Sequence, residues 1–67
     1  MTIQQTIMSG TSQYVELDRD EWLAALNDAT PDEAHEATHA ALIAGAESAP
    51  SGLVIVVRSQ ARAALSL

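Results

Sequence analysis

The chain contains no cysteine, no phenylalanine and no lysine, and only one tryptophan (Trp22) and one tyrosine (Tyr14). Without cysteine there is neither a disulfide framework nor a thiolate metal site, which suits a reducing cytoplasm. Large side chains are scarce: apolar residues make up 48% of the 67, but many of them are alanines. A chain this short has little core to spare for a deep cleft, so a substrate-binding cavity is not expected. The expectation is a single domain over residues 1–67 with a thin core, for which pairing into a homodimer is a natural remedy.

Long apolar runs are missing too. The segment MTIQQTIMSG lacks the basic region and apolar block of a secretory signal, and Leu53–Val57 is far too short to span a bilayer. A soluble, cytoplasmic protein is expected. Basic charge is nearly absent: nine acids face Arg19, Arg58 and Arg62, for a net charge of −6. The acids are concentrated in one segment. Glu16, Asp18, Asp20, Glu21, Asp28, Asp32, Glu33 and Glu36 have only Arg19 among them, eight carboxylates against one cation for a balance of −7. Such a segment repels nucleic acid and attracts basic protein surfaces, including those that hold nucleic acid.

The patterning predicts an α+β fold. In TIQQTIM, Ile3 and Ile7 share a side in an imperfect alternation. SGTS (9–12) reads as a turn, and Val15 and Leu17 of QYVELD share a face, which together predict a β-hairpin. Asp18 stands three residues before Glu21, a capping-box spacing, with Trp22, Leu23, Leu26 and Ala29 following at helical intervals; a helix over about 19–28 is expected. Thr30-Pro31-Asp32-Glu33 reads as the start of a second helix, with a Thr cap, Pro in the first turn and acids over the positive end of the dipole. Gly45 and then Ser48-Ala49-Pro50-Ser51-Gly52 mark its stop, between Ile43 and Ser48. Leu53–Val57 is the expected central strand, buried in a sheet or a dimer interface. Residues 58–65 extend that strand or form a short terminal helix. No internal repeat or linker is evident. The expected architecture is a small antiparallel sheet, the hairpin plus the C-terminal strand, covered on one face by two helices, with a short third helix if the tail is helical.

One stretch suggests chemistry. His35-Glu36-Ala37-Thr38-His39 fits H-E-x-x-H, which on an α-helix sets two imidazoles one turn apart to meet a zinc ion, with the glutamate placed to take a proton from bound water. HEATHAAL followed by a strand resembles the HEAGHA helix of the FtsH-type membrane-anchored metalloproteases, over roughly 34–57 and with Thr38 in place of the family's Gly. The resemblance implies zinc ligation by His35 and His39 and a base role for Glu36. A third protein ligand is required, however, and beyond Glu47 the chain has no Asp, Glu, His or Cys. Glu47 itself would lie about 12 Å along the same helix from His39. The alternative reading, a metal-binding domain using His35 and His39, would need a second copy to complete the site. No Ser-His-Asp set, Cys-His pair or Gly-rich phosphate loop accompanies the motif.

The sequence therefore favours a non-catalytic, cofactor-free interaction module. In size and charge it has the profile of small phage or mobile-element inhibitors such as anti-CRISPR proteins, which would cover a basic surface of a larger protein. A small dimeric structural or antitoxin-type regulator is the other reading. The expected partner-binding residues are Glu16, Asp18, Asp20, Glu21, Asp28, Asp32, Glu33 and Glu36, with Trp22 or Tyr14 as an aromatic anchor; the competing place for Trp22 is the core, since Leu23 and Leu26 alone make a meagre apolar face.

Overall fold

Thr2 begins a helix, not a strand. In the computed structural model, which describes residues 2–50 and 52–67, α1 spans Ile3–Met8 under a reciprocal capping box. The Thr2 hydroxyl accepts the Gln5 N–H at 3.2 Å, and the Gln5 side-chain carbonyl accepts the Thr2 N–H at 2.9 Å. Ile3 and Ile7, four apart, therefore share a helical face, and Ile7 is fully buried. The expected N-terminal hairpin does not form, because a spacing of four satisfies a strand face and a helix face equally and the cap decides between them.

β1 spans Tyr14–Asp18 and α2 Arg19–Asp28. Asp18 ends the strand and caps the helix, its carboxylate accepting the Glu21 N–H at 3.0 Å. Trp22 and Leu26 form the buried stripe of α2. A 3-10 turn, Glu33–His35, then leads into α3, Glu36–Ser48. This second helix starts later than the Thr30-Pro31 signal predicts, since Asp32 makes no side-chain cap and His35 sits at φ −112°, ψ 3°, off the helical basin. Residues 29–32 instead carry the chain from α2 to α3. Gly45 lies inside α3 and does not stop it; the helix ends at Ser48, within the expected range. Ser51, part of the expected stop signal, lies outside the described residues. β2 spans Leu53–Val57, and the tail is helical, as α4, Arg58–Ala64.

The fold is α+β, with four α-helices and a two-stranded antiparallel sheet in which β1 pairs with β2. The register aligns Tyr14 with Val57, Glu16 with Ile55 and Asp18 with Leu53 on one face, and Val15 with Val56 and Leu17 with Val54 on the other. The second face turns inward onto Ile7, Trp22, Leu26, Ala46, Ala61 and Ala64. β2 is covered on that inner face only. On the outer face Leu53 and Ile55 remain 63% and 70% exposed, contrary to the burial expected of an apolar central strand.

Contrary to the expectation of no repeat, the chain contains one, which local similarity alone does not reveal. Glu16 and Ile55 pair at the centre of the sheet and lie 39 residues apart, and the same offset carries α1-β1-α2 onto α3-β2-α4. It matches Ser9 with Ser48, Val15 with Val54, Arg19 with Arg58, and Ala24-Ala25-Leu26 with Ala63-Ala64-Leu65. Interactions follow the offset as well. The Ser9 hydroxyl donates to the Gln5 carbonyl and the Ser48 hydroxyl to the Ala44 carbonyl. The Arg58 N–H donates to the Gln13 carbonyl at 2.7 Å and the Arg19 N–H to the Gly52 carbonyl at 2.8 Å. The halves are thus related by an approximate two-fold axis through the Glu16–Ile55 pair.

That axis explains the two arginines. Each opens the helix that follows its strand and caps the end of the helix that begins the other half. The Arg58 guanidinium donates to the carbonyls of Thr6, Ile7 and Ser9 at the end of α1, and to the Ser12 carbonyl and hydroxyl. Arg19 donates to the carbonyls of Ala46 at 2.9 Å and Glu47 at 3.4 Å at the end of α3. Both cations sit on the negative end of a helix dipole and satisfy carbonyls left without intrahelical partners.

Candidate partner-binding surface

The acids of the Glu16–Glu36 segment all remain exposed. Glu16 and Asp18 project from the outer face of β1, since the inward positions belong to Val15 and Leu17. On α2 the burial of Trp22 and Leu26 fixes the helix rotation and so turns Asp20, Glu21 and Asp28 to solvent. Glu21 and Asp28, seven apart, share one stripe, about 10 Å along the axis. Asp32 and Glu33 lie at the 3-10 turn that follows, and Glu36 on the first turn of α3. Two acidic groups result, one at the β1–α2 junction and one around the passage from α2 to α3.

Internal cations do not neutralise these groups. Among the described residues the one ion pair is Arg19 with Asp20 at 3.1 Å, and the Asp20 side chain is 83% exposed. The other nitrogens of Arg19 and the whole Arg58 guanidinium are committed to backbone and hydroxyl oxygens. Among the described residues Arg58 pairs with no acid, because its fork is better satisfied by several converging carbonyls than by one surface carboxylate.

Trp22 is a correction to the expected surface. The indole is 0% exposed and among the largest side chains of the core, so it is not available as an anchor. With Leu26 it supplies the bulk that a chain so poor in large residues needs. Tyr14, 55% exposed on the outer sheet face beside Val57, is the accessible aromatic. Sequence reasoning missed Leu53 and Ile55 as surface residues, since a continuous apolar run reads as buried on both sides. Their cross-strand neighbours are Asp18 and Glu16, so the outer face of the sheet juxtaposes apolar and acidic side chains.

The H-E-x-x-H stretch is not carried on one continuous α-helix. His35 ends the 3-10 turn while His39 lies inside α3. The Nε2 of His39 is 2.7 Å from the Leu26 carbonyl, so that nitrogen carries the proton and donates it, tying α3 to the last turn of α2. Among the described residues no three His, Asp or Glu side chains gather as a metal-holding group. Nor, among them, is any helix long and apolar enough to cross a membrane.

An apolar groove of about 450 Å³ runs between α3 and β2, with Leu42, Gly45 and Ala46 on the helix, Val54 and Val56 on the strand, and Trp22 contributing to its lining. In the other half of the repeat α1 packs directly against β1. No protein-family model matches the chain, and no curated protein or solved structure matches it.

Proposed function

We propose that this chain is an acidic protein–protein interaction module that docks on a basic surface of a larger cytoplasmic partner, acting as an inhibitor that covers a nucleic-acid-binding groove. The observation that carries this reading is the asymmetric use of charge. Arg19 and Arg58 are spent inside the fold, while seven of the eight acids between Glu16 and Glu36 have no ion pair among the described residues. Apart from Asp18, which also caps α2, carboxylates left unpaired in these two acidic groups add little to folding and are set to meet cations from outside. Tyr14 supplies an exposed aromatic beside them, of the residue type that anchors interfaces. The size and charge resemble those of small phage and mobile-element inhibitors, anti-CRISPR proteins among them; this likeness is by analogy alone.

The test is capture of partners by tagged protein, eluted with a salt gradient, beside the double variant Asp32→Lys, Glu33→Lys. The reading predicts that wild type retains a basic nucleic-acid-handling protein released by moderate salt and that the variant does not. Equal retention by both would refute it.

A further inference from the structure

We propose that the free edge of β2, with the groove beside it, takes an extended segment of the partner as a third strand, in which apolar residues alternate with Lys or Arg. The inference rests on the reading of a basic partner and gives that partner's contact a form.

Hydrogen-bond alternation defines the edge. The Arg19 N–H to Gly52 carbonyl and Arg58 N–H to Gln13 carbonyl bonds fix the phase of the antiparallel ladder. Val54 and Val56 therefore direct their backbone groups toward β1, and Leu53 and Ile55 direct theirs outward, with the Val57 N–H. β2 carries no charge, proline or bulge of the kind that protects edges, whereas β1 bears Glu16 and Asp18 and its Tyr14 carbonyl already accepts the Ser12 hydroxyl at 2.9 Å.

The groove lies where inward side chains of an added strand would go. Gly45 lines it, and a Cβ built there meets nothing within 4 Å, so the fold itself does not require glycine. Glycine is a poorer helix former than alanine, and here its missing methyl widens the groove. Outward side chains of the added strand would lie beside Leu53 and Ile55, with Glu16 and Asp18 one strand further, roughly 9 to 10 Å from the new backbone. Lys and Arg suit that span: their stems cover the exposed Leu53 and Ile55 and their heads reach the carboxylates. A second copy is the weaker candidate, because each carries a net charge of −6.

The probe is a dye-labelled ten-residue peptide alternating Val with Arg, compared with its Val–Glu counterpart and with a version N-methylated at alternate amides. Anisotropy gives affinity, and amide hydrogen exchange gives location. The expected result is binding of the basic peptide at least tenfold tighter than either control, slowed exchange at Leu53 and Ile55, and at least tenfold weakening by Ile55→Pro and by Gly45→Leu. Gly45→Leu fills the groove from an exposed helical position and guards against the proline variant merely unfolding. Tight binding of the basic peptide with exchange at Leu53 and Ile55 unchanged would overturn the edge site while leaving the acidic-docking reading in place. Equal binding of the Val–Glu peptide with slowed edge exchange would overturn the basic occupant, and the reading it rests on, but keep the edge. No measurable binding of any peptide, or a dimer in sedimentation that Ile55→Pro dissolves, would overturn the proposal.

Discussion

Arg58 and His39 show how single side chains hold this fold together without large apolar residues. Arg58 gathers the end of α1, the Ser9–Ser12 turn and the start of α4 into one hydrogen-bonded knot. Hydrogen bonds from a charged donor are worth more than neutral ones, and Arg58→Ala would strand several carbonyls at once. We predict a loss of about 2 kcal/mol or more in urea unfolding, with little rescue by Arg58→Lys, which lacks the planar fork. Gly10, at φ +88°, lies against this guanidinium, 3.5 Å from where a Cβ would sit, and its positive φ suits glycine at the turn. In the opposite direction, Gly45→Ala should raise stability by about 0.5–1 kcal/mol, since nothing in the fold opposes the added methyl. An unchanged or lowered unfolding midpoint would count against the view that Gly45 serves a purpose other than folding. His39 illustrates what a motif omits. H-E-x-x-H specifies residue types at a spacing, but a 3-10 turn at His35 and a carbonyl partner for His39 are decided by how α3 meets α2.

At the scale of elements, local signals were legible where a cap and a buried stripe agree. Asp18, Trp22 and Leu26 placed α2 at Arg19–Asp28, and the terminal helix was already one of two readings for the tail. The N-terminal segment is ambiguous in sequence because Ile3 and Ile7 fit either period, although Thr2 and Gln5 spell a capping box. Removing it by Thr2→Ala should cost about 1 kcal/mol of stability, measured by chemical unfolding, because the helix it starts carries the buried Ile7. The late start of α3 was not legible. Thr30 and Pro31 are good starting residues, but spanning the gap to α2 requires extended chain there. That the strand at Leu53–Val57 joins Tyr14–Asp18 in an antiparallel sheet agrees with the expected architecture, but no local pattern shows the register across more than thirty intervening residues, and that register leaves Leu53 and Ile55 on the outside.

For the whole molecule, the internal two-fold divides labour between halves. The first repeat has Glu16, Asp18, Asp20 and Glu21 where the second has Ile55, Val57, Ser59 and Gln60, so one scaffold shows an acidic surface beside an apolar one. The repeat was present in the sequence, in RDEWLAAL against RSQARAAL, but conserving R, A, A and L at fixed positions conveys nothing until the register shows what each does. Because the acids are exposed, reversing Asp32 and Glu33 to Lys should change folding stability by no more than about 0.5 kcal/mol. A large drop on chemical unfolding would mean those acids serve the fold. In the proposed function these acids occupy a basic surface which would otherwise hold nucleic acid. The most direct test of that reading is the anisotropy of a labelled oligonucleotide bound to the captured partner, titrated with wild type and with the Asp32→Lys, Glu33→Lys variant. Full displacement by wild type and at least tenfold weaker displacement by the variant is the predicted result; an oligonucleotide that stays bound while the wild-type chain also binds would contradict it.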